Sequence, residues 1–406
     1  MKTLLILHPY TFTEFDNYKY EIDYLNKKKN YKVIIHDLSN ILINKKFNDS
    51  WKTKKEKKAI KFNSLISWLR EFNKIKKNEN IFVYDFLDYS TINFKVLIIK
   101  LFLKISKFPI LKYGVTELAV YYPKKNFKFY LNRILLRHKL NLFVYFSKIE
   151  QNLFSTLIKF IKFKKVFLMK NKDFNKLDNK ENTYLIKYHS SDYSNFLLEK
   201  YRNSKKINKK RYIIYLDKGM PYFFGDELSE GRKPPENDIE KYYEELNLFF
   251  DNLENFFNAE VLIIPHPKHR IPSLKKKNIN PYFCNRISDN SYDACARLIP
   301  KSLFVVCRGS SALSYAVVNY KPVQFIYSTN YNYKWNEKED LFFQANSIGT
   351  QPINIASYKK KNLTKNLKIN KAKYDYYKFK FLTYKNSGPT KPNYKIIKDL
   401  MDRSVS

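Results

Sequence analysis

The sequence predicts an α/β protein made of two Rossmann-like, doubly wound domains that face a cleft. Apolar runs of strand length alternate with helix-length patterns through the first half of the chain. A polar, cationic stretch without periodicity, residues 199–211, interrupts this alternation, and a second cycle of strands and helices follows. A chain of 406 residues with 44% hydrophobic residues is long enough to bury two cores.

The first domain is predicted to span residues 1–198. Its apolar runs have the length of strands that are buried on both faces of a parallel sheet. The predicted strands are 3–8, 31–39, 80–88, 140–147, 165–170 and 183–191, and the predicted helices are 59–75, 92–107 and 126–139.

The second domain is predicted to span residues 212–358, with 199–211 as the linker. A helix is expected from about Asp238, because apolar residues follow it at alternating three- and four-residue steps. Residues 359–406 are predicted to form a basic extension that ends in a closing helix, "KIIKDLMD". The predicted strands of this domain are "YIIYLD", "VLIIPH", "SLFVVC" and "PVQFIY", with helices at "DACARLIP" and "SALSYAVVNY".

The charge of the chain is strongly positive, with 76 Lys and Arg against 38 Asp and Glu. Such a field attracts polyanions, which include nucleic acids, anionic lipids and phosphorylated substrates. The excess is mostly Lys, in a chain also rich in Asn, Ile, Tyr and Phe, so an A/T-rich genome explains it equally well. No RNA- or DNA-binding signature is present, and a nucleic-acid-binding protein is the weaker alternative.

Three cysteines, Cys284, Cys295 and Cys307, form no CxxC pair and no metal-ligand spacing. They predict reduced thiols in a cytoplasmic protein. The N-terminal "MKTLLILHPYTF" is interpreted as a first strand because no signal-peptide cleavage site follows it. The most hydrophobic segment, 94–111, carries four lysines, which argues against a membrane span but suits a helix lying on the anionic inner face of a membrane.

Chemically useful side chains collect where the strands of the second domain end. Asp217 closes "YIIYLD", His266 follows "VLII", and Arg308, Gly309, Ser310 and Ser311 follow "SLFVVC". Strands of a parallel sheet end at one edge, and ligands of such sheets bind there. The sequence therefore predicts that these residues share one site.

Each of these residues has a distinct use toward a phosphate. Ser310 and Ser311 precede a helix, where hydroxyl and N–H groups favour an anion. Arg308 would add a bidentate donor. His266 would be the general acid, and Asp217 would be the general base for an acceptor hydroxyl.

The stretches "IIPHPKHR" and "VCRGSSALSYAVVNYKPVQFI" resemble the HP and SS motifs of bacterial surface-polysaccharide glycosyltransferases of the GT-B fold. That group includes sialyl-, polysialyl- and Kdo-transferases that use CMP-activated sugars. The resemblance covers roughly residues 183–330. It implies that His266 contacts the leaving phosphate of the sugar donor and that Ser310 and Ser311 bind that phosphate.

The acidic motif of the resembled family has two carboxylates and a glycine, whereas Asp217-Lys218-Gly219 keeps one carboxylate. Asp192 in "HSSDY" is therefore the alternative base. His189 of the same stretch and Gly219 are expected to line the cleft. Lys268 and Arg270 are expected to assist binding of the sugar donor.

The resemblance predicts a metal-independent glycosyltransferase without a cofactor, and the sequence has no DxD triplet at a strand end. It would move a sialic-acid-like nonulosonate or Kdo from a CMP-activated donor to a surface glycan or lipid-linked acceptor. The alternative within enzymes is a CDP-alcohol polyol-phosphate transferase. The expected location is the cytoplasm, with peripheral contact to the inner membrane.

Overall fold

A computed structural model gives the architecture of the chain. It describes residues 1–27, 30–43, 56–77, 80–87, 92–115, 119, 142–172, 181–201, 211–219, 221, 236–267, 280–283, 285–288, 290–333, 337–385 and 390–404.

The first domain is built on a parallel sheet with the strand order β3-β2-β1-β4-β5-β6-β7. Its interior strand β1 pairs with β2 and β4, so that Leu5 lies opposite both Ile34 and Val83. The strands are β1 (Lys2–His8), β2 (Tyr31–Asp37), β3 (Ala59–Lys61), β4 (Ile81–Asp85), β5 (Ile110–Tyr113), β6 (Val166–Lys170) and β7 (Thr183–Lys187).

Helices cover both faces of this sheet, as expected for buried parallel strands. On one face, Leu5 and Val83 pack with Trp68, Val96 and Leu103. The helices of the domain are α1 (Glu14–Lys19), α2 (Ile22–Asn26), α3 (Ser39–Leu42), α4 (Leu65–Ile75), α5 (Phe94–Ser106), α6 (Leu142–Lys159) and α7 (Ser191–Tyr201).

The second domain is built on a shorter parallel sheet with the strand order β12-β11-β10-β8-β9. The strands are β8 (Tyr212–Leu216), β9 (Glu260–Ile264), β10 (Val305–Cys307), β11 (Val323–Tyr327) and β12 (Ile353–Asn354). The helices of this part of the chain are α8 (Ile239–Phe257), α9 (Ala294–Leu298), α10 (Leu313–Val318), α11 (Glu337–Ser347), α12 (Lys360–Asn366) and α13 (Lys371–Tyr377), and the last helix of the chain is α14 (Asn393–Arg403). The predicted fold class, two Rossmann-like α/β domains, is confirmed.

The start of α8 agrees closely with the sequence. The side chain of Asp238 caps the helix by accepting a hydrogen bond from the backbone N–H of Lys241 at 3.1 Å. The apolar positions Leu246, Phe250 and Leu253 are buried against the sheet. The helix ends at Asn258, which adopts a left-handed conformation with φ of 47°.

The closing helix α14 returns to the first domain. Ile397, Leu400 and Met401 are buried in the same cluster as Leu4 and Ile6 of β1. The last helix of the chain therefore completes the core that the first strand begins.

The two domains contact each other through α7. Tyr193 and Phe196 of this helix pack against the core of the second domain, where α7 lies beside α9 and α10. Tyr18 of α1 stacks on Tyr292 with ring centroids 6.2 Å apart. Aromatic side chains thus form much of this junction.

Some predicted elements were wrong. Residues 142–147 belong to helix α6 and not to a strand, because their apolar run continues into the helical spacing of Ile149, Leu153 and Leu157. The helix predicted from 59 begins at Leu65, after the short strand β3. Strand β5 was not predicted. The predicted helix at 126–139 and linker residues 202–210 lie outside the described part of the chain.

Candidate functional site

The candidate site lies at the carboxyl edge of the second sheet, where the strand order reverses. β8 has β10 on one side and β9 on the other, with Leu216 opposite both Cys307 and Ile264. The chain leaves β8 toward β9 but continues beyond β10 toward β11, so the switch point lies between β8 and β10. Ligands of open α/β sheets bind at such a point.

The loops after β8 and β10 have the same local design. Each strand is followed by charged residues, Asp217 and Lys218 after β8 and Arg308 after β10, and then by a glycine in the left-handed region, Gly219 with φ of 82° and Gly309 with φ of 90°. Such a backbone strains any residue with a Cβ atom. Both loops therefore turn sharply at the sheet edge.

Asp217 is buried at the start of the first loop. One of its carboxylate oxygens, Oδ1, accepts a hydrogen bond from the backbone N–H of Gly219 at 2.9 Å. This contact holds the turn. The role of Asp217 as general base stays a prediction.

Arg308 begins the second loop and is almost completely buried. Its Nη1 atom donates to the hydroxyl of Tyr242 at 2.8 Å, and Nη2 donates to Oε1 of Glu337 at 3.0 Å. The guanidinium carbon also lies 4.0 Å from the centre of the Tyr331 ring. These contacts fix the loop from inside the domain, and direct phosphate binding by Arg308 stays a prediction.

Glu337, the first residue of α11, connects the two loops. Its Oε1 atom accepts from Arg308 and also from Nζ of Lys218, at 2.9 Å. Burial would raise the pKa of this carboxyl, but the charges of Lys218 and Arg308 outweigh burial and lower the pKa to about 2. Glu337 is therefore an anion between two cations at the switch point.

Ser310 and Ser311 lie between β10 and α10. Oγ of Ser310 accepts a hydrogen bond from the backbone N–H of Ala312 at 3.3 Å, and Ser311 is exposed. The predicted order of strand, serine pair and helix is present. Phosphate binding by these hydroxyls stays a prediction.

His266 follows β9 and is partly exposed. Because β9 and β10 flank β8, their ends are two strand spacings apart, roughly 9.5 Å. The parallel register brings His266 to the same edge as Asp217 and Ser310, as the sequence predicted. Lys268 and Arg270 lie outside the described residues.

Asp192 and His189 lie at the junction of the domains. Asp192, in the first turn of α7, is partly exposed. His189 is fully buried, with Nδ1 2.8 Å from Oγ1 of Thr383 and its backbone N–H donating to Asn393. The expectation that His189 lines the cleft needs correction, because this side chain connects the C-terminal segment to the first domain.

Glu337 was missed by sequence reasoning. Its partner Arg308 is separated from it by 29 residues, and no local motif marks the pair. The sequence does contain one signal, an apolar strand followed directly by an arginine. Because a buried cation requires a nearby anion, this pattern indicates that Arg308 has an acidic partner.

Metal sites and membrane-spanning helices are both absent from the described residues. No group of three His, Cys, Asp or Glu side chains is placed to hold a metal ion in that part of the chain. Among the same residues, no helix has both the length and the apolar character needed to cross a membrane.

No protein-family model matches the chain, and no curated protein matches it significantly. Several solved structures are similar to it at low identity. UDP-GlcNAc 2-epimerase from Methanocaldococcus jannaschii is 13% identical with a TM-score of 0.45, over 99% of this chain and 100% of that chain. The Neisseria meningitidis UDP-GlcNAc 2-epimerase bound to UDP-GlcNAc is 14% identical with a TM-score of 0.43, over 99% and 100%. The wall teichoic acid polymerase TagF soaked with CDPG is 13% identical with a TM-score of 0.47, over 100% and 88%. Likeness at this level assigns no function.

Proposed function

We propose that this chain is a glycosyltransferase that moves a sugar from a CMP-activated donor to a bacterial surface glycan. The observation that carries the proposal is the switch point between β8 and β10, with β9 beside it. The loops after these three strands leave the same edge of the sheet, and they hold an aspartate, a histidine and a serine pair. This combination suits departure of a phosphate from an activated sugar.

The residues of each loop have a separate role in the proposed reaction. The backbone and hydroxyls of Ser310 and Ser311 would bind the phosphate of the sugar donor. His266 would donate a proton or a hydrogen bond to the phosphate as the bond to the sugar breaks. Asp217 or Asp192 would accept the proton of the acceptor hydroxyl.

Glu337 supports this site indirectly. It joins the loop after β8 to the loop after β10 through Lys218 and Arg308. A site held in place before the substrate arrives loses less entropy on binding and stabilises the transition state better. We therefore assign Glu337 and Arg308 as positioning residues.

We assign the acceptor surface to a group of aromatic rings in the first domain. Tyr20, Phe86 and Tyr113 are partly exposed, and Phe86 and Tyr113 lie at the ends of β4 and β5. The Tyr20 and Phe86 rings have centroids 4.5 Å apart, and those of Phe86 and Tyr113 are 5.8 Å apart. Such a platform suits the apolar face of a sugar ring.

A thermal-shift series with CMP, UMP, GMP and AMP tests the choice of nucleotide. A ligand that binds only the folded state stabilises it by about 2.7 kcal/mol at a concentration 100 times its Kd. We expect CMP to raise the melting temperature most and Ser310→Ala to reduce that shift. A larger shift with UMP or GMP would move the chain to another class of sugar donor.

Turnover then separates the enzyme alternatives. Release of CMP from CMP-sialic acid or CMP-Kdo supports the proposal, whereas release of CMP from CDP-glycerol supports a polyol-phosphate transferase. Absence of any nucleotide effect, together with salt-sensitive binding of random oligonucleotides, would favour the nucleic-acid-binding alternative.

A further inference from the structure

Helices α5 and α6 carry a row of apolar side chains that faces away from the protein. Each of these side chains is 41% to 76% exposed. We call this surface the α5–α6 outer face. It consists of Phe94, Leu101 and Ile105 on α5, with Ile149, Leu153, Leu157 and Phe160 on and just after α6.

The outer face is a second apolar stripe and not the edge of the core. On α5, the side chains of Val96, Ile99 and Leu103 are buried against the sheet. At 3.6 residues per turn, Phe94, Leu101 and Ile105 lie on the opposite side of the helix. A helix between a sheet and water normally has one apolar stripe, so the second one indicates a further partner.

The stripes of the two helices form one continuous surface. The rings of Phe94 and Phe154 have centroids 5.9 Å apart, and the two helices contact each other. Ile158 on α6 and Ile161 just after it pack toward the core, while Ile149, Leu153 and Leu157 of α6 are exposed. The apolar area is therefore larger than that of a single surface side chain.

The two segments of the chain that contain the outer face carry almost only positive charges. Residues 94–115 and 142–172 contain twelve lysines and one acidic residue, Glu150, whereas the whole chain has 76 cations and 38 anions. Lys100 turns inward and pairs with Asp85. Lys104, Lys159 and Lys164 are exposed. Lysine enrichment in these two segments thus exceeds the general excess in the composition, and one of these lysines, Lys162, pairs with Glu181.

We propose that the α5–α6 outer face docks on an anionic lipid bilayer, with both helices lying in the plane of the interface. Apolar side chains would enter the boundary of the acyl chains while the lysines contact lipid phosphates. A second copy of the chain is a poorer partner, because a symmetric contact would place lysines against lysines. The proposal is independent of the reaction assigned above.

Docking here would also place the carboxyl edge of the first sheet near the membrane. Helix α5 follows β4, so it begins at the carboxyl edge of the first sheet, the edge that carries Phe86 and Tyr113. An acceptor anchored in the same bilayer would then reach that edge without leaving the lipid. This consequence applies only if the proposed function holds.

Vesicle sedimentation tests the docking directly. The full chain is mixed with vesicles of equal parts phosphatidylglycerol and phosphatidylcholine, or of phosphatidylcholine alone. We expect binding to the anionic vesicles, weakened by salt, and little binding to the neutral ones. The variant Leu101→Glu/Ile105→Glu/Leu153→Glu/Leu157→Glu should reduce the vesicle partition coefficient by roughly ten-fold or more.

Two further variants control the result. Leu248→Glu changes a side chain that is 63% exposed on α8 of the other domain, and it should bind vesicles like the wild type. If the four-glutamate variant fails to fold, Lys104→Gln/Lys159→Gln/Lys164→Gln gives the same test by charge alone. Equal partition of the wild-type chain into neutral and anionic vesicles, or no binding to either, would overturn the proposal. The proposal would also be overturned if the wild-type chain were a dimer and the four-glutamate variant were a monomer that binds vesicles as well as the wild type does.

Discussion

The carboxylate of Glu337 lies 3.0 Å from Nη2 of Arg308, and both side chains are buried. Lys218 reaches the same carboxylate from the neighbouring loop. One anion thereby holds together two loops that leave adjacent strands in the same direction. This relationship makes the candidate site a rigid part of the second domain.

The first prediction concerns this buried pair. Glu337→Gln leaves the Arg308 cation without its counter-charge, and loss of one member of a buried pair typically costs about 3–5 kcal/mol. We expect a fall of that size in the free energy of unfolding in urea. The exposed Glu339 in the same helical turn provides the control, since Glu339→Gln should have little effect. An equally small effect of both changes would show that Glu337 does not stabilise the loops.

The two domains differ in what their sequences reveal. Strands β8, β9 and β10 can be predicted from the sequence because each apolar run ends in a turn-forming or charged residue. Their shared edge follows from parallel pairing. The contact between Glu337 and Arg308 could not be predicted from the sequence, since packing of α11 against β11 creates it. Local sequence patterns thus predicted the candidate site but not Glu337, the residue that joins two of its loops.

The first domain shows the limits of short apolar runs. Residues 142–147 resemble a strand when read alone, and the longer helical spacing of α6 decides otherwise. The contact of α14 with β1 joins Lys2 and Asp402, which are 400 positions apart. No local signal could place that helix in the first domain rather than the second.

The second prediction concerns Glu21, which is buried in the first domain. Burial raises the pKa of its carboxyl to about 7, although hydrogen bonds from Ser194 and the backbone N–H of Tyr394 oppose this. The folded protein therefore retains a proton that the unfolded chain loses near pH 4.5. Stability from this group is complete below pH 4.5 and is lost as the pH rises through about 7.

Glu21→Gln should abolish this dependence, because the amide does not ionise. We expect the variant to gain stability relative to the wild type as the pH rises, by at most about 3 kcal/mol at pH 8. His36 has the opposite dependence, since burial lowers its pKa to about 3. The free energy of unfolding in urea is measured for both proteins at each pH. Because both contain His36, its contribution cancels in the difference between them. A constant difference between them from pH 4 to 8 would refute the raised pKa of Glu21.

The third prediction concerns the turn after β10. Gly309 has a φ of 90°, and an added Cβ would lie 3.3 Å from Oε1 of Gln344. Gly309→Ala should cost about 1–3 kcal/mol of stability and should also weaken CMP binding, measured by calorimetry. Gly349→Ala is the matched control, because Gly349 has a similar φ of 84° but lies after α11. Gly349→Ala should lower stability and leave CMP affinity unchanged. Equal losses of CMP affinity in both variants would show that the turn at Gly309 has no specific role in CMP binding.

The fourth prediction distinguishes the two candidate bases. Asn at position 217 keeps an oxygen that can accept the hydrogen bond from Gly219, so Asp217→Asn should fold normally. Asp192 is the more exposed of the two carboxylates. Whichever residue is the base, its Asn variant should lose turnover by roughly 10²-fold or more while the other retains most of it. The measurement is the rate of CMP release with acceptor present, and normal turnover in both variants would remove both carboxylates from the mechanism.

The last prediction concerns His266, the residue whose proposed task depends on a proton. It lies in the loop after β9 and is partly exposed, so its removal should leave the core unchanged. A group that donates to the leaving phosphate contributes roughly 10²–10⁴-fold to the rate. We therefore expect His266→Ala to lose that much turnover and to keep the thermal shift by CMP within a few degrees of the wild type. His266→Gln, which retains a hydrogen-bond donor but cannot carry the proton, should recover part of the loss if hydrogen bonding dominates and none if proton transfer dominates. Circular dichroism of both variants establishes that they fold, and near wild-type turnover in a folded His266→Ala protein would exclude His266 from the reaction.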